Sequence, residues 1–251
     1  MRNHLEALVP IFIDIEGERF SLFGSGVLIE FRGEAFLLTA GHVIDGFERG
    51  ALMVPHYDNK IVEIDGSYSY IDPSDGRNSD NLDFGYFKLE KSFAEGMKKL
   101  FYAIPESEFG IKGDYSDKEL MTFGGFPIRK HNVAGSVATT KEYAYGAYHA
   151  AASDYATLRC KPRLNIVAKY NRNKTVDPSI GKIQYAPLPH GISGGGIFIW
   201  PPVLKDLIPD DRKLIGIGHT YLKNGGYFIG TRLEIILTAI LKNNPHLAIQ
   251  T

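Results

Sequence analysis

Residues 190–198 read HGISGGGIF: one hydroxyl residue, Ser193, among four glycines, with an apolar run behind it. Taken alone, the stretch fits a tight turn between strands as well as a loop that presents a nucleophile. Glycines at 191, 194, 195 and 196 open backbone conformations closed to other residues, so successive N–H groups can converge on one point beside the Ser193 hydroxyl. Convergent donors of that kind stabilise a developing oxyanion, and losing one costs roughly 3–4 kcal/mol of barrier. The G-x-S-x-G spacing also matches the nucleophile elbow of α/β-hydrolases, which needs a helix directly after the serine, then an acid and a histidine. Here GGGIFIWPP follows, three glycines running into a strand that no helix could begin with, and only residues 194–251 remain. The esterase or lipase reading is set aside, and loop followed by strand is predicted.

The rest of the chain has the same grammar. Twenty-seven glycines, 13 prolines and 12% aromatic residues suit many short strands joined by turns. Apolar runs of strand length recur, among them LVPIFIDI (8–15), FSLFGSGVLIEF (20–31), LDFGYFKL (82–89), LNIVAKY (164–170) and GYFIGTRL (226–233). One segment has helical period: Leu233, Ile236, Leu237, Ile240 and Leu241, stopped by NNP at 243–245. A weaker helical candidate spans Ser92–Ile104, beside a polar stretch that places a domain boundary near residues 105–118. The expected units are 1–110 and 111–251. The Ala/Tyr-rich segment 129–155 is expected to be an extended hairpin of the second unit or a loop over a cleft.

With 251 residues and 44% apolar content, the chain can bury one large β core or two small ones. Twenty-eight basic against 29 acidic residues leave a net charge of −1, so nothing global recruits nucleic acid or an anionic membrane. The basic KYNRNK at 169–174 reads as a solvated turn. A single cysteine, Cys160, excludes an intramolecular disulfide and fits a reducing compartment. The apolar patch Leu8–Ile13 is too short, between Glu6 and Asp14, for a signal peptide or membrane span, so a cytoplasmic protein is expected.

Two further stretches carry chemistry. In GSGVLIEFRGEAFLLTAGHVIDG (24–46), two strands joined by RGE deliver His42 at a strand end, where small neighbours leave the imidazole room to turn. Such a group can act as general base for a hydroxyl nucleophile; alone, it reads as readily as a strand-end histidine with a satisfied hydrogen bond. In NLDFGYFKLE (81–90), Asp83 opens an apolar strand, so its carboxylate is expected to be partly buried and to need a partner such as a histidine N–H. A turn or capping role is the alternative, and Asp80 competes for the position.

The ordered combination of His42, Asp83 and Ser193 resembles the trypsin-like (chymotrypsin-fold) serine protease family, of a disulfide-free intracellular bacterial type. GSGVLI…FLLTAGHVIDG is similar to that family's TAxH segment, LDFGYFKL to its Asp-led strand and GISGGG to its GxSGG loop. LIGIGHTY, GYFIGTRL and the terminal helix resemble the last elements of the fold. The resemblance implies an all-β fold of two six-stranded antiparallel β-barrels with a C-terminal α-helix, His42 and Asp83 coming from the first barrel and Ser193 from the second. By carry-over Ser193 is the nucleophile, His42 the general base, Asp83 its orienting acid, and the N–H groups of Gly191 and Ser193 the oxyanion hole. The substrate would be a protein or peptide, with no metal or organic cofactor.

The sequence departs from the family at two places. Ile192 stands where secreted members carry an aspartate that pairs with a newly cut N-terminus, so competence as synthesised, or switching by a regulatory partner protein, is expected instead. Pro187 occupies the position of trypsin's pocket aspartate, leaving no counter-charge for Lys or Arg. His219, His190 and Tyr221 are the other pocket candidates; His219 equally suits a hydrogen bond to Asp83 or a strand cap. The rival to an enzyme is a catalytically silent module of this fold that binds a peptide or partner protein without cutting it.

Overall fold

The structure, a computed structural model, describes residues 3–15, 21–57, 60–72, 81–111, 115, 119–128, 132–134, 137–171, 175–176, 183–184, 186–201 and 212–249. The first half supplies β1 (Leu8–Asp14), β2 (Ser21–Phe31), β3 (Glu34–Thr39), the one-turn helix α1 (Gly41–Ile44), β4 (Ala51–His56), β5 (Lys60–Glu63), β6 (Gly66–Tyr70), β7 (Gly85–Leu89), α2 (Lys91–Met97) and β8 (Ile104–Pro105). These strands form one curled sheet in the order β5-β4-β1-β2-β3-β7-β6, with β8 pairing β2 in parallel. The second half supplies β9 (Leu120–Gly125), β10 (Asn132–Ala134), β11 (Val137–Thr139), β12 (Tyr143–His149), α3 (Ala152–Thr157), β13 (Asn165–Lys169), β14 (Thr175–Val176), β15 (Ile183–Gln184), β16 (Gly196–Ile199), β17 (Lys213–Leu222), β18 (Tyr227–Arg232) and α4 (Leu233–Asn243). Six of these strands close a barrel in the order β12-β13-β18-β17-β16-β9, while β10–β11 and β14–β15 are small separate hairpins.

The all-β, chymotrypsin-like architecture with its C-terminal helix is as expected, and the second barrel closes with six strands. The N-terminal sheet differs in detail: β5 and β6 end its path without pairing to each other among the described residues, so it is a curled half-barrel. Both end strands carry exposed polar or charged positions, Lys60 and Glu63 on one and Ser67 on the other, the composition of a strand that stays at an edge. Of segment 129–155, residues 129–131 and 135–136 lie outside the described residues; the rest contributes the small hairpin β10–β11, the barrel strand β12 and the start of the unforeseen helix α3. The helical candidate at Ser92–Ile104 stops at Met97, because Ile104 is drawn into pairing with Ile29. Of KYNRNK, residues 172–174 lie outside the described residues. No helix among the described residues is long and apolar enough to cross a membrane.

β1 buries both of its faces, which explains its unbroken apolar run. Val9, Ile11 and Ile13 point into the N-terminal sheet's own core with Leu28, Leu37 and Phe87. Leu8 and Phe12 join Val27, Ile29, Phe198, Leu214, Leu233 and Ile236 in a cluster shared by the sheet, the barrel and α4. In α4 the residues at helical spacing, Leu233, Ile236, Leu237 and Ile240, are the buried ones. This shared cluster sits behind the seam where the sequence's three chemical stretches meet.

Cys160 is buried under the barrel, and burial pushes its thiol up to about 11, against a weaker downward pull from the Asn81 amide. Little thiolate exists at pH 8, so iodoacetamide is expected to alkylate Cys160 at least tenfold more slowly in the folded protein than in urea-unfolded chain. Mass spectrometry of the alkylated protein over time reads the ratio.

Candidate active site

Antiparallel pairing of β3 with β7 aligns Thr39 with Gly85, which brings the end of one strand, and α1 beyond it, to the start of the other. His42 lies in α1 and Asp83 two residues before β7. A one-turn helix leaves its first N–H groups unsatisfied, and Ala40 at the N-cap has no side chain to take them. Asp83 does so from across the turn: its Oδ1 accepts the His42 backbone N–H at 3.0 Å and its Oδ2 the imidazole Nδ1–H at 2.5 Å. A carboxylate can only accept, so the ring proton is on Nδ1 and the Nε2 lone pair is left for chemistry. Among the described residues Nε2 has no hydrogen bond. Burial pushes the Asp83 carboxyl up, but the side-chain and backbone hydrogen bonds from His42, with electrostatic attraction to His42 and His219 when those rings are protonated, outweigh it and hold the carboxyl below its usual value. The side chains are 42% exposed for His42 and 12% for Asp83: a base open to solvent on a buried acid.

Asp83 is in turn tied to the barrel. Its N–H reaches Thr231 Oγ1 at 3.4 Å, and two residues earlier the Asn81 carbonyl accepts from Asn165 Nδ2 at 2.9 Å. The Asn81 amide donates to the Leu158 carbonyl at 3.2 Å. Asn81 has φ 49°, a left-handed conformation that asparagine tolerates better than most residues. Asp80 lies outside the described residues.

Ser193 arrives from the other side of the seam. Gly24 measures the approach: a Cβ on it would lie 2.7 Å from Val43 Cγ2, next to His42, and 3.4 Å from the Ser193 carbonyl oxygen. Gly191 (φ 96°) and Gly194 (φ 87°) turn the loop. In trans peptides C=O and N–H point oppositely. The His190 carbonyl is taken by Ile128 N–H at 2.8 Å and the Ile192 carbonyl by Gly195 N–H at 2.8 Å. The N–H groups of Gly191 and Ser193 therefore face away from those anchors, and no acceptor among the described residues takes either. The Ser193 hydroxyl donates to the His219 carbonyl at 3.2 Å, not to His42.

Gly194 presses against the N-terminal sheet, where a Cβ would run into the Ser25 carbonyl oxygen and Thr39 Oγ1. Gly194→Ala combines that clash with a left-handed φ, so we expect it to destabilise the protein by at least about 2 kcal/mol, read as a lower urea midpoint.

Beside Ser193 is a cavity of about 20 Å³, room for roughly one water molecule. Of the four expected pocket residues, His219 and Tyr221 line it; Pro187 and the exposed His190 do not, and Pro189, Ile192, Phe123 and Phe228 do. Phe123 stacks on Phe228 at 4.7 Å between ring centroids, and Tyr221 lies 5.0 Å from Phe228, so the rings fill most of the space. His219 is buried and its Nδ1 is hydrogen-bonded to Thr220 Oγ1 at 2.9 Å. Among the described residues no group of three or more His, Cys, Asp or Glu is placed to share a metal ion.

A solved serine endoprotease from Yersinia pestis superposes on this chain with a TM-score of 0.53 and 17% identity, over 96% of this chain and 64% of its own length. This chain thus spans under two thirds of that protein. A solved chain from work on aromatic interactions in the coupled folding and binding of the intrinsically disordered VPg protein of Sesbania mosaic virus matches with a TM-score of 0.50 and 14% identity, over 92% of this chain and 87% of that one. No protein-family model matches, and neither does any curated protein sequence. At these identities the likeness establishes a chymotrypsin-like fold.

Proposed function

We propose that the protein is a trypsin-like serine endopeptidase that hydrolyses peptide bonds through an acyl-enzyme, with His42 and Asp83 supplied by residues 1–110 and Ser193 by residues 111–251. The observation that carries this is the Asp83–His42 pair at 2.5 Å, which presents a free Nε2 across the seam from a serine flanked by two unengaged N–H groups. Ser193 Oγ turns from the His219 carbonyl and attacks the substrate carbonyl carbon while its proton passes to His42 Nε2. The resulting oxyanion accepts from the Gly191 and Ser193 N–H groups. The C–N bond breaks as His42 protonates the leaving amine, and water repeats the sequence on the ester, returning the proton to Ser193. The single cysteine and near-zero charge support a cytoplasmic enzyme acting on selected proteins or peptides.

The aromatic-walled cavity, with about 20 Å³ free, favours a small uncharged side chain on the acyl side of the cut. Sequenced products of a peptide library should show Ala or Ser there over Phe, Lys or Arg by at least tenfold, since one methylene changes discrimination by roughly 1–3 kcal/mol.

The second reading, a silent peptide-binding module, draws on the hydroxyl's bond to the His219 carbonyl and the small cavity. An organophosphorus fluoride probe separates the two. Intact mass should rise by one adduct, mapped to Ser193, under the enzyme reading. A folded protein that takes no label, with or without candidate peptides, carries the module reading.

A further inference from the structure

Ser25 lies in β2, on the N-terminal sheet, and is fully buried. Its N–H, hydroxyl and carbonyl are all engaged, in four hydrogen bonds of which three cross the seam. Its N–H donates to the Ser193 carbonyl at 2.8 Å. Its hydroxyl accepts from the Phe126 N–H at 2.9 Å and donates to the Gly191 carbonyl at 2.9 Å. Its own carbonyl accepts from Thr39 Oγ1 at 2.7 Å, within the sheet. An N–H only donates and a carbonyl only accepts, so the direction of the hydroxyl is fixed with no alternative rotamer of equal worth.

The consequence falls on the loop that carries the nucleophile. Ser25 alone pins the carbonyls of Gly191 and Ser193, on either side of Ile192, and Ile128 and Gly195 pin those of His190 and Ile192. Every peptide from His190 to Ser193 is thereby held by its oxygen, which sets where the intervening N–H groups point. Ile192 is itself apolar and buried, with no charge through which an ion pair could hold the loop.

We propose that the Ser25 hydroxyl is a positioning residue for the oxyanion donors, a hydrogen-bond relay from Phe126 to Gly191 that sets the loop in its working shape without proteolytic activation. This rests on the endopeptidase reading above. The relay acts on the transition state: an oxyanion needs both N–H groups placed to within a fraction of an ångström, whereas ground-state binding of a peptide does not.

The test compares wild type, Ser25→Ala and Ser25→Cys. The readouts are the rate of Ser193 labelling by the organophosphorus fluoride, kcat and KM on a peptide ester, and the binding of a peptidyl aldehyde, whose hemiacetal oxygen occupies the oxyanion position. For Ser25→Ala we expect labelling, kcat and aldehyde affinity each to fall about 10- to 100-fold, with KM within threefold and a cooperative thermal transition retained. Ser25→Cys, nearly isosteric with a weaker donor, falls between the two, and it carries the same test if the alanine variant does not fold. A folded Ser25→Ala or Ser25→Cys that labels and turns over at the wild-type rate overturns the relay while leaving the endopeptidase reading intact. A KM that rises with kcat unchanged also overturns it. Wild-type protein that takes no label removes the endopeptidase reading, and the relay with it.

Discussion

Ser193→Ala is expected to lower kcat by about 10⁶-fold and abolish labelling, with stability within about 1 kcal/mol of wild type. Among the described residues the hydroxyl's one hydrogen bond is a 3.2 Å contact to the His219 carbonyl, so its removal costs a single neutral acceptor its partner beside a partly exposed position. The loop's shape depends on main-chain groups and on Ser25, all of which survive the change. Residual hydrolysis over the water rate, by roughly 10³-fold, should persist from the oxyanion donors and from substrate binding. Initial rates on a peptide ester, alongside a urea titration, check both halves of the expectation. A kcat that falls by less than tenfold would reassign the nucleophile.

Asp83→Asn is expected to lower kcat by about 10⁴-fold with nearly unchanged geometry. The asparagine carbonyl can still accept the His42 backbone N–H now taken by Oδ1, but its amide then faces Nδ1 as a donor. The imidazole must turn its lone pair to that donor and carry its proton on Nε2, where it can no longer receive one from Ser193. The pH dependence of stability is a second signature. Asp83 has a folded pKa below its usual value of about 3.9, so its contribution is fully present above about pH 4 and is lost as pH falls through the lower folded pKa. The difference in Tm between wild type and Asp83→Asn should therefore change as pH falls below about 4. A difference that stays flat down to pH 2 would mean that Asp83 is not held ionised by His42.

Local patterns made much of this readable. The three glycines of GGGIFIW point to a strand after Ser193, and β16 is that strand. Helical spacing in 233–241 marked the face of α4 that is buried. The strand-opening position of Asp83 marked a buried carboxylate, and it sits against His42. Interactions that span the chain left no such trace. Ser25 bonds to Gly191 across 166 positions, and nothing in GSG distinguishes a relay from a turn. Asn81, two residues before Asp83, takes a left-handed conformation that asparagine tolerates, and its amide and carbonyl reach residues more than 70 positions away. Pro189 and not Pro187 meets the cavity beside Ser193, where the loop tightens and the Ile192 N–H reaches the Pro189 carbonyl at 3.4 Å. The half-barrel was invisible because closure depends on how two edge strands meet in space, while each reads locally as an ordinary strand.

The cluster shared by β1, β2, β16, β17 and α4 gives the seam a mechanical meaning. His42 rides on one wall and Ser193 on the other, and the hydrogen bonds that shape the nucleophile loop cross between them. Under the endopeptidase reading, reactivity at Ser193 is thus a gauge of how firmly the walls are pressed together. Mild heat or low denaturant should quench labelling before circular dichroism registers any loss of β structure, making the probe an early reporter of the walls parting.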